Sequence, residues 1–178
     1  NPKPFIGMSD MTSYHLAIFA KTGMVGFHMD DVTFGFGQNG RNWPKLDQEF
    51  FLKFLTKTEP PGIIKPVSPW QEWKKGKSEG HLIGGILERI SVLAGTPYFP
   101  NLDLFNGAIL FWEEVGVDLT EIYQYLYQLK NMGIFERISG MLVGKIKYLK
   151  PLRDKEIFTP SVKEMVLDIL KEYDFPIM

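Results

Sequence analysis

The chain contains no cysteine, which excludes disulfides, thiolate metal sites and cysteine nucleophiles together. It has no excess of either charge. Lysine and arginine number 20 against 21 aspartates and glutamates, a net charge of −1. Such a balance offers no global electrostatic attraction to nucleic acid or an anionic membrane. No apolar run approaches the ~18–20 residues of a membrane span. Internal repeats and low-complexity segments are missing too. What is present is 178 residues, 44% apolar and 14% aromatic, enough chain for about one domain with a bulky core.

The ends are unusual. Asn1-Pro2-Lys3-Pro4 leads straight into an apolar run with no signal-peptide pattern. Tyr173-Asp174-Phe175-Pro176-Ile177-Met178 stops on apolar residues, whereas domains usually finish in polar, loosely held residues. Both ends predict a piece of a longer chain. The lack of cysteine fits a reducing compartment.

Phe5-Ile6-Gly7-Met8 reads as a short strand, followed by Ser9-Asp10 at a helix N-cap position and a stop at Gly23. Met24 to Phe27 reads as a second short strand, and Met29 to Asn42 as loop. Asp47 to Leu55 is an amphipathic helix with Phe50, Phe51, Phe54 and Leu55 on one face, ended by Glu59-Pro60-Pro61-Gly62. Residues 63–80, broken by Pro66 and Pro69, read as a strand pair or an irregular loop, with Lys74-Lys75-Gly76-Lys77 exposed. Leu82-Ile83-Gly84-Gly85 leads into a helix over about 86–94 closed by Gly95. Ala108 to Trp112 is a continuous apolar run, typical of a strand covered on both faces. Asp118 and Glu121 are spaced as a capping box for a helix through Ile122, Leu126 and Leu129, stopped at Gly133. Gly140 to Ile146 is another strand. Val162, Met165, Val166, Ile169 and Leu170 share one helical face, and Phe175 to Met178 begins one more strand. The alternation predicts an α/β fold of layered, mainly parallel sheets with helices.

Sites in such folds lie at the carboxyl ends of strands, which points to Ser9 and to Glu113-Glu114. Gly7-Met8-Ser9-Asp10 resembles a nucleophile elbow, a sharp strand-to-helix turn that exposes a hydroxyl beside an oxyanion-stabilising N–H. Gly7 is small enough for the turn to close. Asp10 replaces the usual second glycine, and capping of the helix by Ser9 or Asp10 explains the same residues. Glu113 follows five apolar residues, so its carboxylate needs a partner or a task, such as orienting a histidine. Equally, Glu113 and Glu114 mark where the strand meets solvent. The three histidines are His15, placed on the first helix at its surface or an interface, and His28 and His81, both beside glycine-containing segments. None is singled out as a base by position alone.

Other signals carry less. Gly35 to Gly40 matches G-x-G-x-x-G but neither follows a strand nor opens a helix. Trp70, Trp73, Lys74, Lys75 and Lys77 form either a base-stacking patch or a solvated loop. Asp30-Asp31 and the histidines lack metal-ligand spacing.

Several segments together resemble one family, the serine peptidases comprising murein tetrapeptide L,D-carboxypeptidases and microcin C immunity peptidases. The stretches, in family order, are Asn1 to Thr12, Leu82 to Gly85, Gly95 to Tyr98, Gly107 to Gly116, Gly140 to Gly144 and Tyr173 to Ile177. The resemblance implies a two-domain peptidase with a Ser-Glu-His triad. Residues 1–45 would close an N-terminal, nucleophile-bearing domain and its linker, and 46–178 would form an incomplete C-terminal domain. Ser9 matches the nucleophile and the Asp10 backbone N–H one oxyanion donor. Glu113 matches the triad acid, with Glu114 as the fallback. The family's second oxyanion donor precedes the nucleophile strand in a segment this chain lacks. Its histidine follows the stretch resembling Tyr173 to Ile177, beyond Met178. Ile86 departs from the asparagine that relatives usually carry there.

The resemblance further implies a cytoplasmic enzyme of peptidoglycan recycling. It would release terminal D-alanine from a murein-derived peptide without a cofactor, as a homodimer, with no nucleic-acid or membrane partner. The 178-residue chain alone is then expected to be inactive. An alternative substrate is a peptidyl or aminoacyl nucleotide, with Trp43, Trp70 or Trp73 stacking on the base. A non-catalytic peptide-binding module is a further alternative.

Overall fold

Two groups of parallel strands organise the chain in a computed structural model, which describes residues 3–33, 35, 37, 43–60, 62–64, 69–152 and 159–178. Asn1-Pro2, Pro61, Pro66 and most of the 35–40 glycine-rich stretch therefore lie outside the described residues. β1 (Ile6–Gly7) and β2 (Phe27–His28) pair in parallel, with α1 (Met11–Thr22) crossing between them. After α2 (Lys45–Thr56) comes a three-stranded parallel sheet in the order β3 (Leu82–Ile86), β4 (Ile109–Val115), β5 (Gly140–Lys147). α3 (Leu87–Leu93), α4 (Leu119–Asn131) and α5 (Val162–Ile169) complete the layers. The α/β reading, with mainly parallel pairing, is what the fold shows.

Local signals explain most elements. α1 stops at Gly23, which takes the left-handed conformation (φ 70°) and donates its N–H to the Phe19 carbonyl. α4 starts in the expected capping box: Asp118 accepts from the Thr120 and Glu121 N–H groups, and Glu121 accepts from the Asp118 N–H. Ser161 and Glu164 form a second box at α5. The last residues do begin a further strand, since the Met178 N–H donates to the Met141 carbonyl and the Val143 N–H to that of Met178. Ile177 also bridges to Lys74, and Ser78 bonds to Ser139 beside β5, so of the two readings of 63–80, the described part is an irregular arm lying along the sheet. Lys74 is half-buried there, with its ammonium on the Tyr173 carbonyl, unlike the exposed Lys75 and Lys77.

Burial sorts the central strand by face. Leu110, Trp112 and Glu114 are buried on one side, while Ile109, Phe111 and Glu113 are only half-buried on the other. β4 thus differs from the expected strand covered equally on both faces. One side meets the main core of Leu87, Ile90, Ile122, Leu126, Leu129, Val166 and Ile169. His28 reaches the other. Each fully buried aliphatic side chain contributes about 1.5–3 kcal/mol of transfer free energy, so this side anchors the sheet. β4 carries Glu113 and Glu114 in its last residues, as expected, and β2 starts at Phe27, later than the predicted Met24. Among the described residues, no helix is long and apolar enough to cross a membrane.

Candidate active site

The turn after β1 is the first component. Ser9 adopts a left-handed backbone (φ 57°), a conformation that costs a non-glycine residue about 1–2 kcal/mol. Its carbonyl accepts from the Thr12 N–H at 2.9 Å, and the Met8 carbonyl from the Met11 N–H at 3.1 Å. Together these fold the chain sharply from strand into α1. Gly7 is needed for close approach, because a Cβ there would sit 2.5 Å from Met11 Cγ. Asp10 occupies the N-cap, yet no side chain caps the helix. Its carboxylate instead accepts from Arg89 Nε at 2.8 Å, and Arg89 also pairs with Glu88 at 3.3 Å. The alternative that Ser9 or Asp10 serves as a side-chain cap is therefore not what the turn does. Neither the Ser9 hydroxyl nor the Asp10 N–H bonds to another described residue.

The second component is the end of β3, which locks onto this turn. Thr12 is fully buried, and its hydroxyl accepts from the Ile86 N–H at 3.0 Å. Gly85 lies against it at φ 142°, where a Cβ would come within 2.3 Å of Thr12 Oγ1. Thr12 and Gly85 hold the nucleophile-type turn against the sheet, a role sequence reading missed because the residues lie 73 positions apart in the chain. Ile86 uses its N–H for Thr12 and buries its side chain in the core.

The third component is the carboxylate pair, which the pleat separates. Glu113 is half-buried, and its Oε1 accepts from His28 Nε2 at 2.9 Å. The Glu113 carboxylate makes no other hydrogen bond or ion pair with a described residue. Glu114 points to the opposite, buried face. It accepts from the Glu88 N–H at 2.6 Å, in the first turn of α3, and from its own neighbour Val115 at 3.1 Å. Burial pushes the Glu114 carboxyl above the usual glutamate range. Those two N–H bonds oppose the rise, and nearby Glu88 and Glu121 add to it. Only Glu113 faces the side where β1 and β2 approach. The β4–β5 register slips between Trp112 and Glu114, a bulge of the kind that re-aims side chains beside sites.

The histidines divide cleanly. His28 sits opposite Gly7 in the β1–β2 pair, with its ring edge-on to Phe111 at 5.5 Å. Of the two placements expected for His15, surface or interface, the interface is the one observed. The ring turns inward, and Nε2–H donates to the Gly7 carbonyl at 3.1 Å. Burial lowers its pKa, a shift opposed by the Gly7 hydrogen bond and helped by nearby His28. The Nδ1 atoms of His15 and His28 are both buried without a hydrogen-bond partner among the described residues. His81 bonds to the Leu104 carbonyl at 2.7 Å, just before the amino end of β3 and about 16 Å of strand from Ile86. Trp43 is buried, its Nε1–H on Asp30 at 2.8 Å. Trp73 packs against the core, and Trp70 is exposed.

Ser9, Asp10, Glu113 and His28 thus all stand at the carboxyl ends of strands or in the turn that follows one. Chemically, the arrangement presents a hydroxyl on a strained turn, an unengaged backbone N–H beside it and a carboxylate with one oxygen held.

Comparisons with known proteins agree on one relationship. A family model of the LD-carboxypeptidase C-terminal domain matches residues 79–178, and one of the LD-carboxypeptidase N-terminal domain matches residues 1–29. A probable murein peptide carboxypeptidase of Bacillus subtilis is 32% identical over 165 residues, covering 92% of this chain and 50% of the relative. The microcin C7 self-immunity protein MccF of Escherichia coli is 30% identical over 205 residues, covering 98% and 58%. The apo structure of MccF superposes with a TM-score of 0.77 at 26% identity, covering 100% of this chain and 58% of that one. A muramoyltetrapeptide carboxypeptidase from Oxalobacter formigenes shares the fold with a TM-score of 0.76 at 22% identity, covering 99% and 56%. The chain spans about half the length of the curated relatives it matches.

Proposed function

Because the chain belongs to the LD-carboxypeptidase family, we propose that its full-length protein is a serine carboxypeptidase acting on a murein tetrapeptide. Ser9 attacks the carbonyl of the L,D amide bond, and its proton passes to a histidine. That histidine returns the proton to the departing amine as the C–N bond breaks, releasing terminal D-alanine. Water then hydrolyses the acyl-enzyme ester by the same base. Glu113 orients the histidine, and the Asp10 N–H stabilises the oxyanion.

The observation that carries the reading is the left-handed Ser9 at the end of β1, with the acid on the facing strand end. Glu114 is a poor substitute for Glu113, since both of its oxygens already serve backbone N–H groups on the buried face. The base is the histidine that the resemblance puts beyond Met178. His15 is held on the Gly7 carbonyl and His81 on the Leu104 carbonyl, while His28, bonded to Glu113, has its other ring nitrogen buried. In this reading residues 1–45 close the N-terminal domain and 46–178 belong to the C-terminal one. The enzyme works as a cytoplasmic homodimer in peptidoglycan recycling and needs no cofactor.

A second substrate reading draws on MccF, which has been solved with glutamyl sulfamoyl guanosine and aspartyl sulfamoyl adenosine. In that reading the same serine cleaves an aminoacyl nucleotide. Trp70 is the candidate for base stacking, because Trp43 is buried. One mass-spectrometric experiment separates the readings. The full-length protein and its Ser9→Ala variant are offered murein tetrapeptide and an aminoacyl nucleotide side by side. D-Alanine release that vanishes in Ser9→Ala supports the first reading, and nucleotide release alone supports the second. Binding of either without turnover makes the protein a peptide-binding module and ends both.

A further inference from the structure

Two small sheets must be held in register for Ser9 and Glu113 to act together, and one side-chain hydrogen bond spans them. His28 belongs to β2, paired with Gly7 of the strand that ends in the Ser9 turn. Its Nε2 meets Oε1 of Glu113 on β4 at 2.9 Å. A carboxylate only accepts, so the hydrogen is on Nε2. The other nitrogen, Nδ1, is buried with no hydrogen-bond partner among the described residues. That burial, and not the bond to Glu113, keeps His28 from serving the serine or a substrate as a general base, which must lie within hydrogen-bond reach of the proton it takes. Its ring is fixed edge-on by Phe111, which shares the Glu113 face of β4. Glu113 keeps its second oxygen unengaged among the described residues.

We propose that His28 is a positioning residue that clamps one oxygen of Glu113, leaving the other to orient the base. The proposal rests on the serine-carboxypeptidase reading and adds a fourth member behind the triad acid. Without the clamp the carboxylate rotates about its side-chain bonds, and the spacing between the Ser9 strand and β4 loses its polar tie. Substrate contacts are untouched, so the loss appears in turnover. Outer partners that orient an active group characteristically contribute about 10–100-fold.

The test uses the full-length protein with tetrapeptide as substrate. His28→Leu is expected to lower kcat by about 10–100-fold with KM changed by less than about twofold. His28→Gln places an amide N–H near the Nε2 position and is expected to restore kcat to within about threefold of the parent. His28→Asn is too short to reach Glu113 and should fall with His28→Leu. Unchanged kcat in His28→Leu, or equal losses in the Gln and Leu variants, overturns the proposal. So does a loss confined to KM. Where His28→Leu fails to fold, the Gln and Asn variants carry the comparison, and equal activity overturns the idea. Ser9→Ala and Glu113→Gln are run in parallel. Activity surviving in those two overturns the underlying reading, whereas their inactivity beside a normal His28→Leu overturns the clamp alone.

Discussion

Replacing Gly85 with alanine tests how the Ser9 turn is held to the sheet. The new Cβ would lie 2.3 Å from Thr12 Oγ1 and 2.5 Å from Cγ2. Thr12 is fully buried and bonded to the Ile86 N–H, so it cannot swing into solvent. Overpacking of this kind costs about 1–3 kcal/mol. Pushing the hydroxyl off the Ile86 N–H leaves a buried donor unmet, about 1–3 kcal/mol more. Alanine at φ 142° adds strain of order 1 kcal/mol. These components overlap, and a net loss of about 3–5 kcal/mol is expected, roughly 6–20 °C in Tm for a chain of this size. Thr12→Ala removes the two closest clashing atoms and leaves only Cβ, at 2.9 Å, so Gly85→Ala on that background should cost at least about 1 kcal/mol less than on the parent. Urea unfolding of the four proteins in the cycle measures both numbers. A Gly85→Ala cost below about 1 kcal/mol, or strict additivity with Thr12→Ala, would refute the reasoning.

Ser9→Gly relieves the left-handed backbone that Ser9→Ala retains, so the glycine variant should be the more stable of two inactive proteins by about 1 kcal/mol; equal unfolding midpoints would remove the strain from the account. Trp112→Ala empties the centre of the sheet, where the indole N–H meets Met141 Sδ at 3.3 Å. It should cost about 3–5 kcal/mol, read from denaturant midpoints. Burial holds the Glu114 carboxyl above its ordinary pKa, so the folded protein keeps that proton longer than the unfolded chain. Its contribution is full below the unfolded value and is lost as pH rises through the raised folded value. Unfolding free energies of the parent and Glu114→Gln against pH should therefore show the parent losing ground to the variant with rising pH; a gain instead would reverse the assignment.

The parallel α/β architecture was legible because its elements carry their own signals. The Asp118–Glu121 capping box, the Gly23 stop and the apolar run into β4 each state a local preference that the tertiary structure keeps. β3 was less legible, since Leu82-Ile83-Gly84-Gly85 has only two side chains with strand preference. Its pairing with β4 and its contact with Thr12 make it a strand. Ser9 could be picked out from the strand–turn–helix pattern, and Glu113 from the run before it. The different surroundings of Glu113 and Glu114 come from the pleat, because adjacent residues face opposite sides of a sheet. His28 gave no local sign of its partner, which lies 85 residues away. Surface and interface could not be told apart for His15, because the Gly7 carbonyl that draws it inward belongs to another element.

The most direct test of the central claim is peptide mapping of the full-length protein quenched during turnover of murein tetrapeptide. The account predicts an acyl adduct on Ser9 with the mass of the tetrapeptide less D-alanine, lost in Ser9→Ala together with D-alanine release. An adduct on another residue, or D-alanine release that persists in Ser9→Ala, would contradict it.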